Sequence, residues 1–248
     1  MNKCAVILAG GEGKRMKSDI PKPMNEVLAK PMLRWVIDAV RDAGVKDICV
    51  VTGFKKEVTE DYLKILPFPV ETVYQSERLG TGHAVMMAEE FLRRKGGDVV
   101  ILCGDAPFMD SKTISGAYNL HKEKNSSATV ISAKVDNPFG YGRIIRNNDG
   151  GVSAIVEEKD TTDEQKNVNE VNSGCYWFDT EDLLGVLDKL TDNNASGEYY
   201  LTDTLGILLE QGKTVCAYTA DSSYTVLGAN DPAQLAQLNK IAEEIVDK

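Results

Sequence analysis

The sequence lacks paired cysteines, a long apolar run and an excess of positive charge. Its five cysteines, Cys4, Cys49, Cys103, Cys175 and Cys216, are odd in number and far apart. Most are flanked by Val, Ile, Ala or Leu, so they read as small buried hydrophobes in a reducing compartment. No C-x-x-C pair occurs, which argues against a thiolate zinc site. No stretch approaches the roughly 18–20 apolar residues that cross a bilayer. The N-terminus lacks the longer apolar segment and cleavage site of a secretory signal, so a cytoplasmic protein is expected. The 28 Lys and Arg face 38 Asp and Glu, a net charge of −10. That sign argues against a general nucleic-acid or anionic-membrane surface. Any phosphate site must be a local island of cations and backbone amides. Internal repeats, low-complexity segments and a linker composition are missing too.

What is present is an alternation of apolar runs and helical patterns over 248 residues. CAVILAG, DICVVTG and DVVILCGD read as buried strands, and VETVY as a short one. Helices are expected from about Pro31 to Gly44, with Leu33, Val36, Ile37 and Val40 on one face, and over 55–66 and 82–95. Another is expected from an Asp110 cap to about Lys124. Such alternation implies right-handed βαβ crossovers and a mostly parallel sheet. The apolar runs are continuous, as when helices cover both faces. From about Ala128 short strands follow, ATVISAKV, GRIIR, GVSAIVEE and VNSGCYWF. A polar, mobile loop is expected over 160–170, and helices over 181–190, 201–211 and 231–247. The expected class is α/β, a Rossmann-like sheet flanked by helices with a smaller β-rich subdomain. Residues 1–230 form one domain, split near 127 into a first half and a β-rich half of about 128–230. A C-terminal helix follows over 231–248.

Leu8-Ala9-Gly10-Gly11-Glu12-Gly13-Lys14-Arg15-Met16 ends the first strand in a glycine turn that places backbone N–H groups where anions bind. A dinucleotide fingerprint would need glycine at Met16 and an acidic residue about 20 positions on. A P-loop would need Ser or Thr at Arg15 and glycine at Leu8. Both fail. The loop matches the nucleotide loop of sugar-phosphate nucleotidyltransferases everywhere except Lys14. From the glycines alone an ordinary tight turn stays as good a reading. Arg15 and Lys22 favour function, because two cations beside such a turn in an acidic protein need a reason.

Two further stations bear chemistry. In Gln75-Ser76-Glu77-Arg78-Leu79-Gly80-Thr81-Gly82-His83-Ala84, Gly80 and Gly82 permit close backbone approach, and the Gln75 amide can read both edges of a pyrimidine. His83 reads as structural. At Cys103-Gly104-Asp105, a carboxylate stands just past a buried strand, where open parallel sheets bind ligands. Asp105 is a candidate hard-oxygen ligand for Mg²⁺.

The chain resembles the uridylyltransferase domain of the bacterial bifunctional N-acetylglucosamine-1-phosphate uridylyltransferase family. The match runs in order through SDIPKP, GYGRI, IVEEKD, NEVNSG, GEYYLTD and GAN. The resemblance implies that Leu8, Ala9, Gly10, Gly11 and Gly13 hold uridine and its phosphates, and that Gln75, Gly80 and Thr81 read uracil. It implies Arg15 and Lys22 as the catalytic cations and Asp105 and Asn230 as Mg²⁺ ligands. It implies Gly142, Glu157 and Asn172 as sugar binders, with Tyr141, Tyr199 and Thr202 nearby. A turn for Asn172 and a helix N-cap for Asn230 stand as plain alternatives.

The implied reaction joins UTP and N-acetylglucosamine 1-phosphate in a Mg²⁺-dependent in-line displacement without a covalent intermediate. The partners would be these small substrates alone, with no nucleic acid and no membrane. Lys14 and Pro23 depart from the family's pattern, and Pro23 leaves the sugar open. Glucose 1-phosphate or another sugar phosphate or nucleotide is the enzymatic alternative, and a catalytically silent UDP-sugar binder the other. The family's bifunctional members continue into a β-helix acetyltransferase domain of hexapeptide repeats. These residues contain none, so only the uridylyl activity and a monomer or weak oligomer are expected.

Overall fold

The computed structural model describes residues 2–246. In chain order the elements are β1 (Lys3–Ala9), the hairpin β2 (Glu26–Val27) and β3 (Lys30–Pro31), α1 (Met32–Asp42), β4 (Asp47–Thr52), α2 (Lys56–Lys64) and β5 (Glu71–Tyr74). Then come α3 (Thr81–Met87), α4 (Glu89–Lys95), β6 (Asp98–Cys103), α5 (Ser111–Glu123), β7 (Ala128–Lys134), β8 (Arg143–Arg146) and β9 (Val152–Val156). Last are β10 (Glu170–Asp179), α6 (Thr180–Leu187), α7 (Asp203–Glu210), β11 (Val215–Thr219) and α8 (Pro232–Val246).

The main sheet runs β11-β7-β10-β6-β1-β4-β5. β6, β1, β4 and β5 are mutually parallel, and β11 is parallel to β7. β10 runs antiparallel to both of its neighbours, which makes the sheet mixed. β8 and β9 form a hairpin that joins β10 through the Val171–Arg143 pair. The strands from Ala128 onward therefore extend the same sheet, and only this hairpin departs from its main path.

Both faces are covered, as the continuous apolar runs require. Successive residues of β1 enter opposite cores, Cys4 and Val6 on one side and Ala5, Ile7 and Ala9 on the other. β6 divides its residues likewise, Val99 and Ile101 against Val100 and Leu102. α1 buries Leu33, Val36, Ile37 and Val40 as its spacing predicts. It ends in a Schellman motif, with Gly44 at φ 80° and Val45 N–H donating to Val40 O at 3.1 Å. The Asp110 side chain caps α5 through Thr113 N–H at 2.7 Å.

Several boundaries differ from expectation. The helix over 82–95 breaks at Ala88, whose N–H bonds Val85 O in a tighter turn. The 160–170 stretch holds a short 3-10 turn, Gln165–Asn167. The strand β11 was unexpected, because VCAYT is short and only its first residue is fully buried. The last helix reaches Val246, and residue 247 of its expected span lies outside the described residues. The cysteines are free, with Cys4, Cys49 and Cys175 buried and Cys103 and Cys216 half-buried. Among the described residues no helix is long and apolar enough to cross a membrane.

Candidate active site

The parallel strands deliver their carboxyl ends to one edge of the sheet, and a cleft of about 270 Å³ opens there. Leu8 lies in β1 and Gly10 and Gly11 follow it, Gln75, Arg78 and Gly80 lie between β5 and α3, whose first residue is Thr81, and Cys103 ends β6 with Asp105 just beyond it. Lys22 and Pro23 close one wall. A second pocket of about 200 Å³ includes Tyr141, Gly142, Glu157, Asn172, Tyr176 and Thr202. Thr81 and Cys103 line both, so the two pockets meet at a shared wall.

The glycine loop is built to hold Lys22. Gly13 sits at φ 65°, and a Cβ added there would lie 2.9 Å from Lys22 Cβ. Lys22 N–H donates to Gly11 O at 3.3 Å. At Gly11 an added Cβ would meet nothing within 4 Å, so this glycine faces the open cleft. Ala9 is instead buried in the core beneath the loop. Arg15 and Lys14 are exposed on the 3-10 turn Lys14–Met16, and neither lines a pocket.

The Lys22 ammonium lies between the Asp105 carboxylate and Asn230 Oδ1, the latter at 2.7 Å. Two residues expected to share a cation therefore converge on one in this structure, 125 positions apart in the chain. The helix-cap alternative for Asn230 does not hold, because Asp231 Oδ1 caps α8 through Gln234 N–H at 2.9 Å. Asn230 sits one residue earlier, its N–H tied to Gln234 Oε1 at 2.7 Å, which leaves its own amide for the cleft. An ionised carboxylate and an amide oxygen form a hard-oxygen pair that fits a divalent cation with waters and phosphates completing its shell. Among the described residues no cluster of three His, Cys, Asp or Glu could do so without them.

Gln75 is 5% exposed and both amide protons are spent inside the protein. Nε2 donates to Gly80 O at 3.1 Å and contacts His83 Nδ1 at 3.1 Å. With an amide N–H as donor, His83 Nδ1 must be the acceptor, which places the ring proton on Nε2. Gln75 thus offers a ligand its oxygen only, one edge rather than two. His83, read from the sequence as structural, is the residue that fixes the Gln75 amide.

Gly80 and Gly82 make room for the chain itself. Added Cβ atoms would fall 2.6 Å and 2.9 Å from Tyr199 O. Gly82 N–H donates to that oxygen at 2.7 Å, and Tyr199 N–H to Leu79 O at 2.8 Å. Tyr199 therefore acts through its backbone, and its side chain packs on the core rather than lining either pocket. Thr81 Oγ1 accepts Leu201 N–H at 3.0 Å, which ties this segment to the start of α3.

In the second pocket Asn172 is held at three points. Its N–H donates to Gly142 O at 2.8 Å, its Oδ1 accepts Gly174 N–H at 2.9 Å, and its Nδ2 donates to Tyr176 Oη at 2.7 Å. Thr202 Oγ1 donates to Glu157 Oε1 at 3.1 Å. Burial raises the Glu157 pKa above the usual carboxylate range despite that bond, and nearby Asp203 and Asp160 push the same way. Glu158 plays a different part. It binds the buried Arg143 guanidinium at 2.7 Å and so fixes the root of β8.

The lining residues not assigned a role from the sequence include Arg78, Glu198 and Tyr176. Arg78 pairs with Glu12 of the glycine loop at 3.2 Å. Tyr176 had an available signal, because it lies an even number of residues from Asn172 on a strand.

The nucleotidyl transferase family model matches residues 4–228. The bifunctional protein GlmU of Clostridium beijerinckii is 47% identical over 247 residues, all of this chain and 53% of that protein. GlmU of Acetivibrio thermocellus is 47% identical over 96% of this chain and 51% of its own length. The chain thus spans about half the length of the curated relatives it matches. These relatives bear out the resemblance carried by the motifs. A crystal structure assigned as a glucose-1-phosphate thymidylyltransferase from Bacillus anthracis, in complex with sucrose, aligns with a TM-score of 0.81. It covers 97% of this chain and 95% of that one at 22% identity, a likeness of fold. Nucleotidyltransferases of this family generally use a divalent metal. With its family match spanning both pockets, the chain belongs to the nucleotidyl transferase family.

Proposed function

We propose that this protein is a uridylyltransferase that joins UTP to N-acetylglucosamine 1-phosphate, giving UDP-N-acetylglucosamine and pyrophosphate. The observation that carries the reading is the pair of pockets meeting at Thr81 and Cys103. One has a glycine loop, a cation and an amide; the other has a carboxylate and a fixed amide. A nucleotide in the first and a sugar in the second would bring their phosphates together at the shared wall. The motif resemblance and the GlmU relatives support the choice of UTP and an N-acylated sugar.

A sugar phosphate oxygen would bond to the α-phosphorus as the bond to the bridging oxygen breaks, its electron pair leaving with pyrophosphate. No general base is needed, because the attacking phosphate is already ionised. Catalysis then rests on positioning and charge neutralisation. Lys22, its stem packed on Gly13, would meet charge on the α-phosphate. Arg15, exposed at the loop's end, would meet the departing pyrophosphate. Gly11 would let the phosphates approach the backbone, and Gln75 Oε1 would accept the uracil N3–H. Asp105 and Asn230 would hold Mg²⁺, which supplies positive charge to both reacting phosphates. Glu157 and Asn172 would bind the sugar, with Gly142, Tyr141 and Thr202 around it.

Pyrophosphate release from UTP and N-acetylglucosamine 1-phosphate tests this assignment. Asp105→Ala should lose release with Mg²⁺ present while its circular dichroism stays that of the wild type. Lys22→Ala should lower kcat more than it raises KM. Turnover surviving in Asp105→Ala would remove the metal assignment, and a pure KM effect in Lys22→Ala would make that residue a ground-state binder.

A further inference from the structure

Tyr176 lines the second pocket, yet it is 2% exposed. Its ring lies in the core 5.6 Å from that of Phe178. A hydroxyl has one proton and two lone pairs. One lone pair is taken by Asn172 Nδ2, a group that can only donate, at 2.7 Å. The Tyr176 proton therefore cannot point back at Asn172. Among the hydrogen bonds of the described residues, Asn172 is the only partner of this hydroxyl. A buried donor without an acceptor is destabilising, so a native protein keeps one where a partner arrives.

The same arrangement fixes Asn172. Gly174 N–H demands an acceptor and so turns Oδ1 toward itself. Nδ2 must then face Tyr176, which leaves its second N–H unspent. Two unspent protons, one on Tyr176 Oη and one on Asn172 Nδ2, stand within one hydrogen bond of each other at the wall of the same pocket.

We propose that Tyr176 is a specificity-determining residue of the sugar pocket, its hydroxyl anchoring the Asn172 amide and donating its own proton to an acceptor oxygen of the sugar. This rests on the reading of that pocket as a sugar site. The donor pair suits an oxygen with two lone pairs, either the acyl oxygen of an acylamino group or a ring hydroxyl. A sugar lacking that oxygen would leave both donors buried and unpaired.

The test is calorimetric binding of UDP-N-acetylglucosamine, UDP-glucose and UDP to the wild type and to Tyr176→Phe, which keeps the ring and removes one oxygen. UDP-N-acetylglucosamine should bind about tenfold more weakly to the variant and UDP equally well, because UDP does not reach this pocket. Weakening confined to UDP-N-acetylglucosamine places the contact on the acyl oxygen; equal weakening of UDP-glucose places it on a ring hydroxyl. Unchanged affinity for both sugar nucleotides overturns the proposal, and so does equal weakening of UDP, the mark of a merely structural role. A wild type that binds UDP-N-acetylglucosamine and UDP-glucose no tighter than UDP would overturn the sugar pocket itself, and the Tyr176 proposal with it.

Discussion

Single side chains here act in pairs, one facing the ligand and one holding it. Gln75 keeps its oxygen for the cleft because Gly80 O and His83 Nδ1 take its two protons. His83→Ala would free the amide to turn. UTP KM should rise roughly three- to tenfold with the sugar phosphate KM unchanged, as initial rates against each substrate would show. Glu157 carries its own cost. Burial raises its folded pKa above 4.5, so its ionisation opposes folding at neutral pH. The group's favourable contribution is full below its unfolded pKa and is lost as pH rises through the folded one. Glu157→Gln should therefore melt higher than the wild type at neutral pH and equally below about pH 4, while binding the sugar more weakly. A thermal melt at the two pH values checks it. Such pairings are hard to read in sequence. Gln75 and Asn172 stand out in their motifs, but which atoms remain free depends on partners such as Tyr176 and the backbone of Gly80.

At the scale of elements, the strands β1, β4 and β6 were legible because continuous apolar runs leave few alternatives to burial on both faces. β11 was not, because a five-residue edge strand buries little and is fixed by its parallel pairing with β7 rather than by its own pattern. The glycines of the two motifs illustrate the same limit. All look alike in sequence, yet a Cβ added at Gly82 would fall 2.6 Å from Leu190 Cδ1 and 2.9 Å from Tyr199 O, while one added at Gly11 would meet nothing within 4 Å. Gly82→Ala should destabilise the fold by about 1–3 kcal/mol through overpacking. Gly11→Ala should leave stability unchanged and weaken nucleotide binding. Melting temperature and UTP affinity, measured on both variants, separate the two uses of glycine.

Across the whole molecule, one mixed sheet carries both pockets. β10 supplies Asn172 and Tyr176 to the second pocket and pairs with β6, whose last residue, Cys103, lines both pockets. Buried charge staples the same sheet away from the cleft. At Glu170, burial alone would raise the pKa, but Arg146, Ser132 and Thr219 outweigh it and hold it below the usual range. At Asp98 burial is likewise outweighed by His121, Lys122 and Tyr118. Their contributions are full above the ordinary carboxylate values and are lost as pH falls through the lower folded ones. Acid unfolding should therefore steepen below about pH 4, and Glu170→Gln should flatten its share of that slope in a pH titration of melting temperature. For the proposed uridylyl transfer, a uridine nucleotide and an N-acylated sugar phosphate must occupy the adjoining pockets and react. Pyrophosphate release across a panel of four nucleoside triphosphates and several sugar 1-phosphates, with and without Mg²⁺, tests it most directly. UTP with N-acetylglucosamine 1-phosphate should give the highest kcat/KM, dependent on Mg²⁺. Preference for another pair, such as dTTP with glucose 1-phosphate, or binding without pyrophosphate release, would contradict it.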